Sequence, residues 1–285
     1  MTAHTHATAP TQFVEAAGIR FAYRRFGEKA GTPLVFLQHF RGGMDNWDPM
    51  MTDGLAGGRP VVSVRQRRRC RVHRRDAGDH RGDGRWGGRL HRGLGLGVVD
   101  LLGFSIGGCI AQALALRHRE LVRRLVLVGT TPRGGELQDR QPDVSTVAGH
   151  PESTMEDFLL LFFDPSESSQ QAGRAFWDRR HQRRVDVDPP SSMQTALAQR
   201  AALTEWAQPR GQRFADLRTI TQPTLVVNGN HDIMLPTINS YILSQHLPKA
   251  ELVIYPDSGH GSLFPYPTLF VHHVSRFLGA EPAFS

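Results

Sequence analysis

Three residues far apart in the chain, Ser105, Asp232 and His260, each stand where a side chain could take part in acyl transfer. Ser105 lies in Gly103-Phe104-Ser105-Ile106-Gly107-Gly108, directly after the apolar run Val98-Val99-Asp100-Leu101-Leu102. A strand that runs through Gly-x-Ser-x-Gly into a small-residue helix start has the layout of a nucleophile elbow. The serine of such a turn is strained, so its neighbours two before and two after must lack side chains. A hydroxyl is a poor nucleophile at neutral pH and needs a base, together with a group that orients the base. His260, between Gly259 and Gly261, follows the run Ala250–Tyr255 and is the expected base. The other histidines include His4, His6, His73, His80, His91, His181 and the pair His272-His273, and they have no such setting. Asp232 stands just past the run 223–229 and is the expected orienting acid. Asp257 is nearer to His260 in sequence, but after Pro256 its expected task is to brace the turn. A triad acid arrives from the end of a different strand, and the order Ser, Asp, His is the one this elbow takes.

These side chains need a scaffold that brings several strand ends together. Apolar, β-branched runs at 33–37, 60–64, 98–104, 121–129, 223–228 and 250–255 read as buried strands. An opening hairpin is expected from Phe13-Val14-Glu15 and residues 19–23 around Gly18. Helices are expected at 106–118 and near 268–277, the latter with Phe270, Val274 and Phe277 inward. Strands alternating with helices imply an α/β chain whose mostly parallel sheet is covered on both faces. Between about 132 and 221 the strand rhythm stops. Ser153-x-x-Glu156 and Ser191-x-x-Gln194 have capping-box spacing, and Phe158, Leu161, Phe162, Phe176, Trp177, Leu197 and Trp206 supply apolar faces.

With these motifs the chain resembles the α/β-hydrolase superfamily, and within it the small serine esterases and the cofactor-free haloperoxidases. The resemblance implies a core of residues 1–131 and 222–285 with a helical cap, 132–221, over the site. It implies an oxyanion hole made by the N–H of Ile106 and a second N–H from the loop after the strand at 33–37. Relatives read His-Gly-x there, with a tryptophan further on. Counting back from Trp47 makes Phe40 the second donor and places His39 where glycine usually sits. The expected activity is hydrolysis of a carboxylic ester or related small acyl compound through an acyl-enzyme, with no metal or organic cofactor. The alternatives are a cofactor-free haloperoxidase or perhydrolase, using the same triad, or an inactive product of a damaged gene. Dehalogenase and epoxide-hydrolase chemistry is disfavoured, because those relatives carry aspartate at the elbow.

Charge is concentrated in one stretch. Residues 65–92 hold eleven arginines, three aspartates and no lysine, a net +8, whereas the whole chain of 285 residues nets +7. The remainder therefore nets −1. A nucleic-acid face would draw basic residues from several elements and interleave aromatics, but this stretch has only Trp86. No nucleic-acid partner is expected. The family resemblance fails inside 65–92, where relatives carry a Phe-Asp-Asn-x-Gly turn and an amphipathic helix. With permitted codons, a one-base shift of reading frame restores such a turn and a helix-compatible run. Paired compensating frameshifts, leaving an exposed, poorly packed loop, are the expected origin. Only Cys70 and Cys109 are present, with no disulfide framework, and no apolar run is long enough to span a bilayer. No signal peptide stands at the start, so a cytoplasmic protein without a membrane partner is expected.

Overall fold

The computed structural model describes residues 4–16, 19–65, 93–136, 142–150 and 152–279. Residues 65–92 beyond Arg65, and with them the frameshift expectation, lie outside this description, as does the Gly18 turn. Eight strands, β1 (Gln12–Ala16), β2 (Ile19–Gly27), β3 (Leu34–Leu37), β4 (Pro60–Val64), β5 (Val99–Phe104), β6 (Val122–Val128), β7 (Thr224–Gly229) and β8 (Ala250–Tyr255), form one sheet. Its order is β1-β2-β4-β3-β5-β6-β7-β8. From β4 to β8 all neighbours run parallel, while β1 with β2 and β2 with β4 are antiparallel.

The period-2 geometry of strands sorts the apolar residues onto two faces. Leu102 and Phe104 of β5 join Phe36, Val126 and Val227 on one side. Val99 and Leu101 join Val35, Leu125 and Val226 on the other. All six residues of β5 are buried, as a central parallel strand with both faces covered requires. Ile106, Ile110 and Leu114 of helix α2 (Ile106–Arg117) cover the second face. The first is covered by α1 (Pro49–Ala56) and by α8 (Pro267–Gly279), whose Phe270, Val274 and Phe277 are buried as the sequence predicts.

Between β6 and β7 come α3 (Pro142–Val147), α4 (Met155–Phe162), α5 (Glu167–Arg180) and α6 (Met193–Trp206), and α7 (Ile238–His246) follows β7. Phe158, Phe162 and Phe176 from this region pack into the same cluster as the first sheet face. The caps fall one residue later than the spacing predicts. Thr154 accepts from the Asp157 N–H at 3.2 Å while Asp157 reaches back to the Thr154 N–H at 2.9 Å. Ser192 likewise accepts from the Thr195 N–H at 3.2 Å, and its hydroxyl also meets that of Thr195. Leu197, expected on an inward face, is exposed, because Ala196, Gln199 and Trp206 carry the buried side of α6.

Candidate active site

The end of β5 turns into α2 through Ser105, whose φ of 57° and ψ of −122° lie in a region that residues with a side chain rarely occupy. Three steric facts make this turn a glycine turn. A Cβ on Gly103 would stand 2.4 Å from the Gly107 carbonyl oxygen, and one on Gly107 would stand 2.0 Å from that of Leu37. One on Gly108 would meet Thr130 at 2.6 Å. The turn is pinned from β6, since the Ser105 N–H donates to the Val128 carbonyl at 2.9 Å and the Thr130 hydroxyl donates to the Ser105 carbonyl at 2.7 Å.

His260 arrives from the loop after β8. Its Nδ1 lies 2.8 Å from Asp232 Oδ2, and both residues are buried. Asp232 is itself fixed, because Oδ1 accepts the N–H groups of Met234 and Leu235 at 2.8 and 2.9 Å. With Nδ1 donating to the carboxylate, Nε2 is the nitrogen left to accept a proton. The imidazole packs against Phe104, the residue before Ser105, with ring centroids 5.1 Å apart. On another side Phe162 stacks on it at 5.6 Å and 15°. Asp257 takes a different partner, the Ser168 hydroxyl at the start of α5.

The turn after β3 is held by side chains. Gln38, fully buried, accepts the His39 N–H at 2.8 Å and donates to the Gly43 carbonyl at 3.1 Å. Gln199 of α6 accepts the Arg41 N–H at 2.8 Å, Asn46 that of Gly43 at 2.7 Å, and Asp188 that of Met44 at 2.7 Å. The Gly42 N–H goes to the His39 carbonyl. Along 39–44 the Phe40 N–H is thus the one that donates to no described group. The Ile106 N–H, first in α2, has no acceptor within its helix. His39 is buried against Phe104 and Phe162, and this desolvation pulls its pKa down to about 3. It is therefore neutral at pH 7, with Nδ1 donating to the Phe40 carbonyl at 2.8 Å. Sequence reasoning missed the roles of Gln38 within this turn and of Gln199 from α6, and gave Phe162 only a place on an apolar face.

Ser105 and Phe40 open on a cavity of about 410 Å³, walled also by Arg200, Leu203, Trp206 and Met234. That volume falls in the range of small-molecule sites, about 300–1,000 Å³. Trp206 thus lines the cavity, while Phe158, Phe162 and Phe176 are core. Among the described residues no three His, Cys, Asp or Glu side chains converge as a metal site would need.

The profile of the alpha/beta hydrolase fold family matches residues 85–265. The chain belongs to the α/β-hydrolase family. An alpha/beta hydrolase fold protein from Chitinophaga pinensis superposes with a TM-score of 0.85 at 34% identity, covering 98% of this chain and 100% of that one. Among curated relatives, the pimeloyl-[acyl-carrier protein] methyl ester esterase of Nitrosomonas europaea is 31% identical over 183 residues, 61% of this chain and 69% of that protein. The 2-hydroxymuconate semialdehyde hydrolase of Pseudomonas putida is 28% identical over 192 residues, 67% of this chain and 66% of that protein. This α/β-hydrolase chain is accordingly a hydrolase with esterase-type relatives. No helix among its described residues is long and apolar enough to cross a membrane.

Proposed function

We propose that the chain is a serine hydrolase that cleaves carboxylic esters or related small acyl compounds through an acyl-enzyme on Ser105. The observation that carries this reading is the buried Asp232–His260 pair, 2.8 Å apart, packed against the turn that holds Ser105 at positive φ. In this reading His260 Nε2 takes the Ser105 proton as Oγ attacks the carbonyl, and Asp232 fixes the tautomer and stabilises the imidazolium. The Phe40 and Ile106 N–H groups, unspent in the fold, hold the developing oxyanion. His260 then gives its proton to the leaving group, and water, activated by the same imidazole, releases the acid. Residues 132–221 serve as the cap, since Leu203 and Trp206 wall the cavity that contains Ser105. The esterase named among the relatives supports the choice of substrate class.

The test is hydrolysis of short p-nitrophenyl esters by folded protein, with labelling by a fluorophosphonate. Ser105→Ala is expected to abolish both, leaving only binding and the oxyanion donors. Labelling elsewhere, or full activity in the variant, overturns the assignment. Peroxide-dependent halide oxidation exceeding ester hydrolysis would turn the reading to a haloperoxidase. Folded protein with neither activity nor labelling would turn it to an inactive product.

A further inference from the structure

Residues 162–164 join α4 to α5, and they meet both loops that carry the proposed acid and base. Phe163, at their centre, is extended, with φ of −118° and ψ of 155°, so Phe162 and Asp164 address the same side. Phe162 meets the base loop, where its carbonyl accepts the Gly261 N–H at 2.9 Å and its ring lies on that of His260. The Ser168 hydroxyl adds a tie to the same loop at Asp257. Asp164 meets the acid loop. Its Oδ2 accepts from Nδ1 of His231, the residue directly before Asp232. Asp164 is buried, and α5 fixes it. Its N–H donates to the Ser169 hydroxyl at 2.9 Å, its carbonyl accepts the Gln170 amide at 2.9 Å, and Oδ1 accepts the Ser166 N–H at 3.3 Å. His231 is fixed at its backbone, where the N–H donates to the Ser258 carbonyl at 3.1 Å. Its side chain, by contrast, is 63% exposed. An exposed pair of this kind contributes little to global stability, so its consequence is local.

The Asp232 carboxylate has to be located in two frames. Within its own loop, Oδ1 accepts the Met234 and Leu235 N–H groups, which set it relative to residues 232–235. Those bonds do not locate the loop relative to α4, whose last residue seats the His260 ring. We propose that His231 is a positioning residue for the proposed reaction, tying the acid loop through Asp164 to the segment that also holds His260, and so keeping Asp232 at His260 Nδ1. The base loop is anchored to residues 162–168 at Asp257, His260 and Gly261, so loss of the His231 tie falls on the acid. The kinetic consequence rests on the hydrolase reading above, and the tie itself does not.

The experiment compares His231→Ala with His231→Asn in the full chain, the asparagine placing an amide N–H near the position of Nδ1. Amide hydrogen exchange is read by NMR at Met234 and Leu235, which donate to Asp232, and at Gly261, which donates to Phe162. Exchange at Met234 and Leu235 is expected to quicken about ten-fold in His231→Ala and to return towards its original rate in His231→Asn. The Gly261 rate and the melting temperature are expected to stay as they were. On p-nitrophenyl acetate, kcat should fall about ten-fold in His231→Ala with KM within about two-fold, and should recover in His231→Asn. With Asp164→Ala already present, His231→Ala should add less than about two-fold, because the same bond is already lost. Unaltered exchange at Met234 and Leu235 in folded His231→Ala overturns the proposal, whether or not an ester is cleaved. Equal acceleration at Gly261 overturns it too, as a mark of general loosening. So does a kcat that stays unchanged in an active enzyme, or one that His231→Asn fails to restore. Failure of the hydrolase reading is distinct, since no ester would be cleaved and Ser105 would take no label while the exchange pattern remained.

Discussion

Two turns lie side by side at the strand ends, and they are built by opposite means. The turn after β5 is shaped by what it lacks, because side chains at Gly103, Gly107 and Gly108 would strike backbone or Thr130 at 2.0–2.6 Å. The turn after β3 is shaped by what it has, with Gln38, Asn46, Gln199 and Asp188 each accepting one of its N–H groups. Steric exclusion fixes the first turn, within itself at Gly103 and against Leu37 and Thr130 at Gly107 and Gly108. The second depends on acceptors from as far away as α6 and the loop before it. In the proposed mechanism each delivers one N–H to the same oxygen, so a turn shaped by exclusion and a turn shaped by acceptors must agree to within a fraction of an ångström.

The sharpest test of which partners matter lies outside both turns. Asp232→Asn is expected to lower kcat by about 10³–10⁴-fold with little loss of stability, because the imidazole loses its orienting acceptor. Asp257→Asn, which disturbs only the serines at the start of α5, Ser166 and Ser168, is expected to leave kcat within a few-fold. The reverse pattern in steady-state kinetics and melting curves would exchange their roles. Gly107→Ala attacks the contact between the two turns. With its Cβ placed 2.0 Å from the Leu37 carbonyl oxygen, roughly 4 kcal/mol of stability should be lost in urea unfolding. A loss below about 1 kcal/mol would mean that the turns adjust independently. Gln38→Ala strips the side-chain device alone. It leaves the His39 N–H without a partner and the Gly43 carbonyl with only the Asn46 N–H, so about 1–2 kcal/mol of stability should go, together with a larger proportional fall in kcat than in KM.

The smallest effect is one of pH. Unfolded His39 takes up a proton below about pH 6.5, whereas folded His39 resists until about 3. The unfolded state therefore binds more protons between those values, and stability falls as pH is lowered through that window, by about 1.4 kcal/mol per unit at most from this residue. His6, pulled to about 4 by burial, adds to the same slope. His39→Gln should flatten the pH dependence of the urea midpoint between pH 6.5 and 5. An unchanged slope would show that the protonated ring finds an acceptor.

The same contrast explains what could be read from the chain. Ser105 and its glycines are legible because the excluded positions, though their obstacles include the distant Leu37 and Thr130, fall two residues either side of the serine and leave a fixed word, Gly-x-Ser-x-Gly. Strand runs are legible because a central parallel strand must be apolar on both faces, as β5 is. Gln199 is not legible. Its task is to accept an N–H 158 residues away, and a buried glutamine on a helix has no pattern that announces it. The α4 and α6 starts were displaced by one residue for a milder reason, since serines or threonines stand at both candidate positions and only the bonds formed choose between them. His39 illustrates the limit of analogy. The resemblance leads to an expected glycine there, and the imidazole fits because aromatic rings of Phe104 and Phe162 enclose it.

One contact links the cover to the chemistry. The last residue of α4, Phe162, accepts the Gly261 N–H at 2.9 Å and also lies flat on the His260 ring. The position of α4 and the seating of the imidazole are therefore coupled. A compound too bulky for α4 to settle would still enter and be held, but it would meet an unaligned proton acceptor. Size selection at this site would thus be expressed in turnover and leave affinity almost untouched, so poor substrates would behave as competitive inhibitors of good ones.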